Sequence, residues 1–328
     1  MHQAAGRPFI IVNYFASRAR RAWHPIKSIL AQNDIGFDVH ETSAAGEAEA
    51  CVRSALRDGH RIVAAVGGDG TLSEVTRGFF ECPTAAGAPP APINPEAALS
   101  ILPAGTGDDF ARGLTGHREP LEKWVARLVA YCRSGGGDVG KGTRDVDALY
   151  ATVSDDARSF ICLNAATLGI SADVTTRVTR QGSLMRRLPG ETRFIWAAVG
   201  ALTTWRNRMV RITVDESSME CATNLMAVVN GRYVGGGMKF VPSARPDDGF
   251  LEAIVACDMT RMQAVRELTR IHRGGHLANP KIVLQKGGRV RVETLDPAEA
   301  FVVEADGDVR GQTPAEFRLM PGALRLIW

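Results

Sequence analysis

The 328-residue sequence predicts an α/β domain followed by an antiparallel β domain. Three observations carry this. Strand and helix signals alternate from residue 8 to residue 111. Beyond a Gly135-Gly136-Gly137 break the apolar residues recur with period two. Two glycine loops follow apolar runs in the first half, where a parallel sheet places its ligands.

The elements follow in order. Phe9–Val12 is a short apolar run suited to a buried strand, and a helix follows with Ala22, Ile26, Ile29 and Leu30 on one face, ending near Gly36. A second strand covers 37–40. Glu47–Arg57 reads as a helix stopped by Asp58-Gly59. A third strand covers 61–66 and a third helix 72–80. Residues 82–98 are rich in Pro and Ala and read as a surface loop, and 99–102 as a fourth strand. In the second half Val210/Ile212/Val214, Val290/Val292, Phe317/Leu319 and Leu324/Leu326 alternate as in half-buried antiparallel strands. Asn230-Gly231 reads as a hairpin turn, because both residues tolerate positive φ. The predicted domains are 1–138 and 139–311.

Composition excludes several classes. A net charge of +3 requires no nucleic-acid partner. The six cysteines form no CxxC pair and read as reduced core thiols of a cytoplasmic protein. The opening MHQAAGRPFIIVNYF lacks a signal-peptide layout, and no run of about 18 apolar residues is present to span a bilayer. The histidines show no metal spacing, and no GxSxG nucleophile elbow occurs.

Four motifs carry chemistry. Gly67-Gly68-Asp69-Gly70-Thr71 lies between a strand and a helix. Glycines let phosphate oxygens reach backbone N–H groups, and a helix N-terminus favours negative charge. Asp69 then stands beside the phosphates, placed to hold Mg²⁺ or orient an attacking hydroxyl. The bland alternative is a tight turn with Thr71 as N-cap. Gly105-Thr106-Gly107-Asp108-Asp109 repeats the logic after the next strand, and two such loops at neighbouring strand ends make one concave site. The third motif is Asn230-Gly231-Arg232-Tyr233-Val234-Gly235-Gly236-Gly237 with Arg245-Pro246-Asp247-Asp248-Gly249-Phe250. Its acids are either solvated turn carboxylates or part of a cation site with loop carbonyls. The fourth, Glu304-Ala305-Asp306-Gly307-Asp308, is either a plain hairpin turn or an acid cluster that takes a proton from a substrate hydroxyl.

Taken in this order, GGDGT, LPAGTGDDFAR, NGRYVGGGM, PDDG and DGD resemble the diacylglycerol kinase catalytic family, with its bacterial soluble lipid kinases and sphingosine and ceramide kinase relatives. The likeness runs from about Phe9 to Trp328. It implies a Rossmann-like three-layer α/β nucleotide domain and a C-terminal antiparallel β-sandwich-like domain, with the segment 312–328 returning to the first. It implies ATP and Mg²⁺ as cofactors and a membrane lipid, diacylglycerol first, as acceptor; a sphingoid base or ceramide is the alternative, and a catalytically inactive nucleotide- or lipid-binding protein the alternative of another class. By position, Asn13, Thr42, Gly67, Gly68, Asp69, Gly70, Thr71, Gly105 and Thr106 match nucleotide-contacting positions. Asp248 matches a magnesium-binding carboxylate, with Arg245 and Phe250 offering main-chain oxygens. Asp308 falls where the family keeps its proton acceptor, usually a glutamate, and Asp306 is the carboxylate that takes over if the shorter arm does not reach. Two more positions depart from the pattern. Asp108 stands in place of an asparagine, putting a charge near a polyanion unless Mg²⁺ or an arginine compensates. The N-terminal loop keeps Asn13 but continues Tyr14-Phe15-Ala16-Ser17.

One stretch points to a membrane independently. Between Arg177 and Arg211 stand eight arginines and a single acid, Glu191. Phe194, Ile195, Ala198, Val199, Leu202 and Trp205 recur there at helical spacing. An apolar helix flanked by arginines suits an anionic lipid surface; the competing reading is a core helix with solvated ends. Peripheral membrane association is the expectation, and homo-oligomerisation is left open.

Overall fold

The structure, a computed structural model, describes residues 6–82, 88–135, 142–153, 158–170, 174, 200–201 and 205–328. The arginine-rich helix expected from Arg177 onward lies outside the described residues up to Trp205, apart from Gly200 and Ala201.

The first half alternates β1 (Phe9–Val12), α1 (Ser17–Gln32), β2 (Asp38–Glu41), α2 (Glu47–Arg57), β3 (Ile62–Gly67), α3 (Asp69–Gly78), β4 (Ala98–Pro103), α4 (Asp109–Thr115) and α5 (Leu121–Arg133). Its four strands are parallel, in the order β2-β1-β3-β4. All six residues of β3 are buried, as a central parallel strand covered on both faces requires. The core joins Ile10, Val12, Val63, Val66, Leu99 and Leu102 to the inner faces of the helices. On α1 the buried stripe is Ala19, Trp23, Ile26 and Leu30. The expected face is therefore turned slightly, with Ala22 and Ile29 only partly buried at its margin.

The second half is antiparallel. It comprises β5 (Thr143–Val153), β6 (Ser159–Cys162), β7 (Ala165–Gly169), β8 (Arg208–Val214), β9 (Ser217–Val229), β10 (Leu251–Cys257), α6 (Arg261–Ile271), β11 (Ile282–Gly287), β12 (Arg289–Thr294), β13 (Val302–Ala305), β14 (Asp308–Gln312) and β15 (Ala315–Ile327). The period-two residues Val210, Ile212, Val214, Val290, Val292 and Phe317 meet in one buried cluster, because alternate residues share a sheet face. Strand β15 joins the halves. Its start pairs antiparallel with β12, most of its length with β5, and Arg325 and Leu326 run parallel to Ala98 and Leu99 of β4.

The Asn230-Gly231 turn is not observed. Neither residue has positive φ. Asn230 is fully buried, and its Nδ2 donates to the carbonyls of Asp147 and Leu163 at 2.8 Å. Gly231 is required for space, since a Cβ there would lie 2.0 Å from Asn164 Oδ1. The tight reversal comes later, at Gly235, Gly236 and Gly237, all with positive φ, inside a bridge between Val234 and Met238.

Candidate active site

The two glycine loops touch. A Cβ on Gly105 would lie 2.5 Å from the Cα of Gly68, so Gly105 excludes a side chain, and a Cβ on Gly68 would sit tightly at 3.1 Å from the Gly105 Cα. Gly67 is equally constrained, because a Cβ there would meet Thr71 Oγ1 at 2.4 Å. Helix α3 starts one residue after the GG pair: Gly68 is the N-cap, and Asp69, Gly70 and Thr71 form the first turn. Thr71 is thus not the N-cap; its hydroxyl accepts from Asn13 Nδ2 at 2.9 Å. No side chain caps this helix, so its first-turn N–H groups stay available to an anion.

Asp69 and Asp109 face each other across the loops. Asp69 Oδ1 accepts from the Phe110 N–H at 3.2 Å. Burial, then the charge of Asp109, pushes the Asp69 carboxyl up to about 6. Asp109 is only 3% exposed. Its Oδ2 accepts from the Gly236 N–H at 2.6 Å, while Oδ1 is buried with no partner. Burial raises its pKa too. Two desolvated carboxylates with spare oxygens suit a hard divalent cation.

Asp108 is compensated as the sequence required. It adopts φ 51°. Its Oδ1 accepts from the Gly105 N–H at 2.8 Å, and its Oδ2 pairs with Arg118 at 2.6 Å. Arg118 also donates to the Gly105 and Thr106 carbonyls, and Arg18 to that of Gly105. These two arginines therefore cluster at the exposed Thr106 tip of the loop.

The NGRYVGGGM stretch latches the second half onto this loop. Besides the Gly236–Asp109 bond, Tyr233 OH donates to Gly116 O at 3.2 Å, and the Arg112 guanidinium lies over the Tyr233 ring at 5.5 Å. Gly237 is needed because its φ of 111° lies where side chains are rarely tolerated.

The DGD element is a β13–β14 hairpin turn, with Asp306 at φ 48° and Gly307 at φ 95°. It is also part of the site. Asp306, Gly307 and Asp308 line one cavity of about 560 Å³ together with Asp69, Gly70, Gly107, Asp109, Asn164 and Glu304. Ile170, Val174, Leu225, Val234, Met238, Phe240 and Leu268 give the same cavity an apolar lining. Asp306 is committed within the protein: its two oxygens accept from the N–H groups of Leu163, Asn164 and Ala165 at 2.9–3.2 Å. Asp308 is 62% exposed and touches Arg310 at 2.8 Å. Glu304 is buried, with a raised pKa caused chiefly by that burial, and it accepts from Thr167 Oγ1 and the Gly307 N–H.

The other expected residues fall into two further places. Asn13, Thr42 and Thr71 line a neighbouring cavity of about 320 Å³ with Ala44, Ala45 and Glu74. Arg245, Asp248 and Phe250 do not line either cavity. They sit in a loop held by Asp147, which accepts from the Gly249 N–H and donates its own N–H to Pro246 O. Asp248 Oδ2 pairs with Lys286 Nζ at 2.7 Å, and that ammonium lies 4.8 Å from the Phe250 ring centre. Asp248 Oδ1 and both oxygens of Glu252 are buried without a hydrogen bond, Lys286 Nζ lies 3.9 Å from Glu252 Oε1, and burial pushes Glu252 up to about 7. This oxygen surplus also fits a hard cation.

Sequence reasoning missed Arg118 and Glu252 as site residues, and it singled out neither Asp109 nor Glu304 within the motifs that contain them. Asp109 stood within a quoted motif, and the repeated loop logic was the signal that pointed to it. Glu304 stood in the acid cluster of the fourth motif, whereas Arg118 and Glu252 have no local signal.

Among the described residues no helix is long and apolar enough to cross a membrane. Residues 7–140 match the family model of the diacylglycerol kinase catalytic domain, and residues 167–328 that of the YegS C-terminal NAD kinase beta sandwich-like domain. A diacylglycerol kinase of Bacillus subtilis (strain 168) is 28% identical over 314 residues, 95% of this chain and 92% of that protein. A protein of Xanthomonas axonopodis pv. citri (strain 306) described as "Probable lipid kinase YegS-like" is 29% identical over 90% of this chain and 88% of its own length. The crystal structure of a diacylglycerol kinase from Bacillus anthracis str. Sterne shares the fold, with a TM-score of 0.66 at 20% identity over 98% of this chain and 97% of that one. Matched in both halves, in order and over most of its length, the chain belongs to the diacylglycerol kinase catalytic family of lipid kinases.

Proposed function

We propose that the protein transfers the γ-phosphoryl group of ATP to the hydroxyl of a membrane lipid, with diacylglycerol as acceptor and a phosphatidate as product. One observation carries this reading. A single cavity of about 560 Å³ presents carboxylates and glycine backbone on one part of its wall and apolar side chains on the rest. An amphiphile with a reactive hydroxyl fits such a lining.

In this reading the free N–H groups at the start of α3 and the Gly105–Gly107 backbone hold the phosphates. Asn13 and Thr42 border the nucleotide where the smaller cavity opens. Mg²⁺, when bound, neutralises charge on the transferring phosphoryl group, and Asp69 and Asp109 are the residues placed to hold it. Asp308, the exposed carboxylate of the hairpin, accepts or directs the hydroxyl proton. Glu304 and Asp306 keep that hairpin in place. The loop of Arg245, Asp248 and Phe250, with Glu252 beside it, would hold a supporting cation next to the Lys286 ammonium that pairs with Asp248. The chain acts as a peripheral enzyme at a cytoplasmic membrane face through its arginine-rich stretch; at the end of that stretch Arg206 pairs with Glu299, Arg211 with Glu220, and Arg208 lies over the Phe301 ring.

Labelled ATP offered with diacylglycerol, ceramide, a sphingoid base and monoacylglycerol in mixed micelles tests the reading. Labelled phosphatidate from wild type and none from Asp69→Asn supports it. A labelled ceramide or sphingoid base reassigns the acceptor. No labelled lipid at all, with nucleotide still bound, makes the chain a binding protein and refutes catalysis.

A further inference from the structure

We propose that His40, Glu47 and Cys51 form a separate transition-metal site, of the kind that takes Zn²⁺, on the outer edge of the parallel sheet. Among the described residues these three offer one nitrogen, one oxygen and one sulfur ligand, all within 4.8 Å of one another. They come together because of local geometry. Glu47 and Cys51 are four residues apart on α2 and share a face, and His40 lies on β2, the strand that ends the sheet.

The donor set is preorganised. His40 Nε2 lies 2.9 Å from Glu47 Oε1. The other oxygen of Glu47 accepts from the Ser43 N–H at 2.6 Å, the Ser43 hydroxyl at 3.0 Å and the Ala44 N–H at 3.0 Å. Those donors fix the carboxylate's direction and hold it ionised, the second contact sphere that metal ligands generally need. The His40 and Glu47 side chains are 31% and 28% exposed, so an ion enters from solvent and a water completes a four-coordinate sphere. Mixed imidazole, carboxylate and thiolate ligation favours zinc over magnesium, which prefers oxygen alone. The Cys51 thiol loses its proton to the solvent as the metal–sulfur bond forms, with no change of oxidation state.

The site is not part of the cleft, yet it borders it. Ala44, Ala45 and Ala48 flank Glu47 and line the smaller cavity beside Thr42. A bound ion therefore stiffens the segment next to the proposed nucleotide. The metal site itself does not depend on the kinase reading.

The test uses full-length protein freed of metal and titrated with Co²⁺. One Co²⁺ per chain with a thiolate-to-cobalt absorption band is expected, displaced by Zn²⁺ and unaffected by excess Mg²⁺. Cys51→Ser abolishes the band. His40→Gln weakens binding by at least about tenfold. Cys82→Ser, which removes the exposed thiol, leaves the band in place. Zn²⁺ raises the melting temperature of the apo wild type and of Cys82→Ser, and raises that of Cys51→Ser and His40→Gln less. Absence of a thiolate band at stoichiometric Co²⁺, a band that survives Cys51→Ser, or equal Zn²⁺ stabilisation of wild type and His40→Gln overturns the proposal.

Discussion

The two walls of the cleft use carboxylates in opposite ways. On the wall built from the ends of β3 and β4, Asp69 and Asp109 make no ion pair among the described residues, and burial raises both. On the hairpin wall Asp306 and Glu304 are held by donors of the chain, although burial raises Glu304 too, and Asp308 stays exposed. Asp306 accepts three backbone N–H bonds, Glu304 is held by Thr167 and Gly307, and Asp308 pairs with Arg310. A buried acid left with an oxygen that no donor meets, as Asp109 Oδ1 is, marks a place prepared for a cation. An acid satisfied by backbone donors marks structure. Sequence alone gives both walls the same letters.

Substitutions on each wall should separate these roles, the largest effect first. Asp69→Asn is expected to lower phosphoryl transfer at least about a thousandfold while the fold persists, as steady-state rates and circular dichroism would show. Near-normal turnover would remove Asp69 from the mechanism. Asp308→Ala should reduce kcat about a hundredfold or more with little change in KM for ATP, and Asp308→Glu should keep most of the activity. Asp306→Ala belongs to the other class. It leaves three N–H groups without their acceptor and should cost about 3 kcal/mol in urea unfolding. Its kcat at low temperature, where the variant is folded, should fall far less than that of Asp308→Ala.

The pH dependence of the apo protein sharpens the contrast. Asp69 is raised from 3.8 to about 6 and Glu252 from 4.5 to about 7. The unfolded chain releases these protons first. Stability is therefore full below the unfolded values and is lost as pH rises through the folded ones, levelling off above about 7. Asp69→Asn should remove the part of this loss that falls between 3.8 and about 6, on the order of 1–3 kcal/mol, in melting curves taken across that range. The smallest effect is expected from Arg118→Ala. It leaves Asp108 unneutralised beside the phosphates and should raise KM for ATP several-fold with kcat nearly unchanged.

Much of the fold was legible because its signals are local. The α2 helix spans Glu47–Arg57 as its pattern and the Asp58-Gly59 stop predict. The alternation of Val210, Ile212 and Val214 marks the inner face of β8. The paired glycine loops predicted a shared cleft, and Gly68 and Gly105 do meet. What was hidden depends on partners far along the chain. Asp109 finds Gly236 across 127 positions, and Asp306 finds Leu163 across 143. Nothing near Asp306 says that it is the structural member of the pair and Asp308 the exposed one. Asn230-Gly231 misled for the same reason. Its composition favours a turn, but the Asn230 amide is drawn inward by the carbonyls of Asp147 and Leu163. On α1 the large Trp23 takes the buried stripe and displaces Ala22 to its edge.

The central claim is that both glycine loops hold one nucleotide by main-chain N–H groups. Amide hydrogen exchange on the full-length protein, with and without magnesium and a non-hydrolysable ATP analogue, tests it most directly. Residues 67–71 and 105–107 should gain protection together, at the same nucleotide concentration. Protection of only one loop, or of neither while the nucleotide is bound, would contradict the claim.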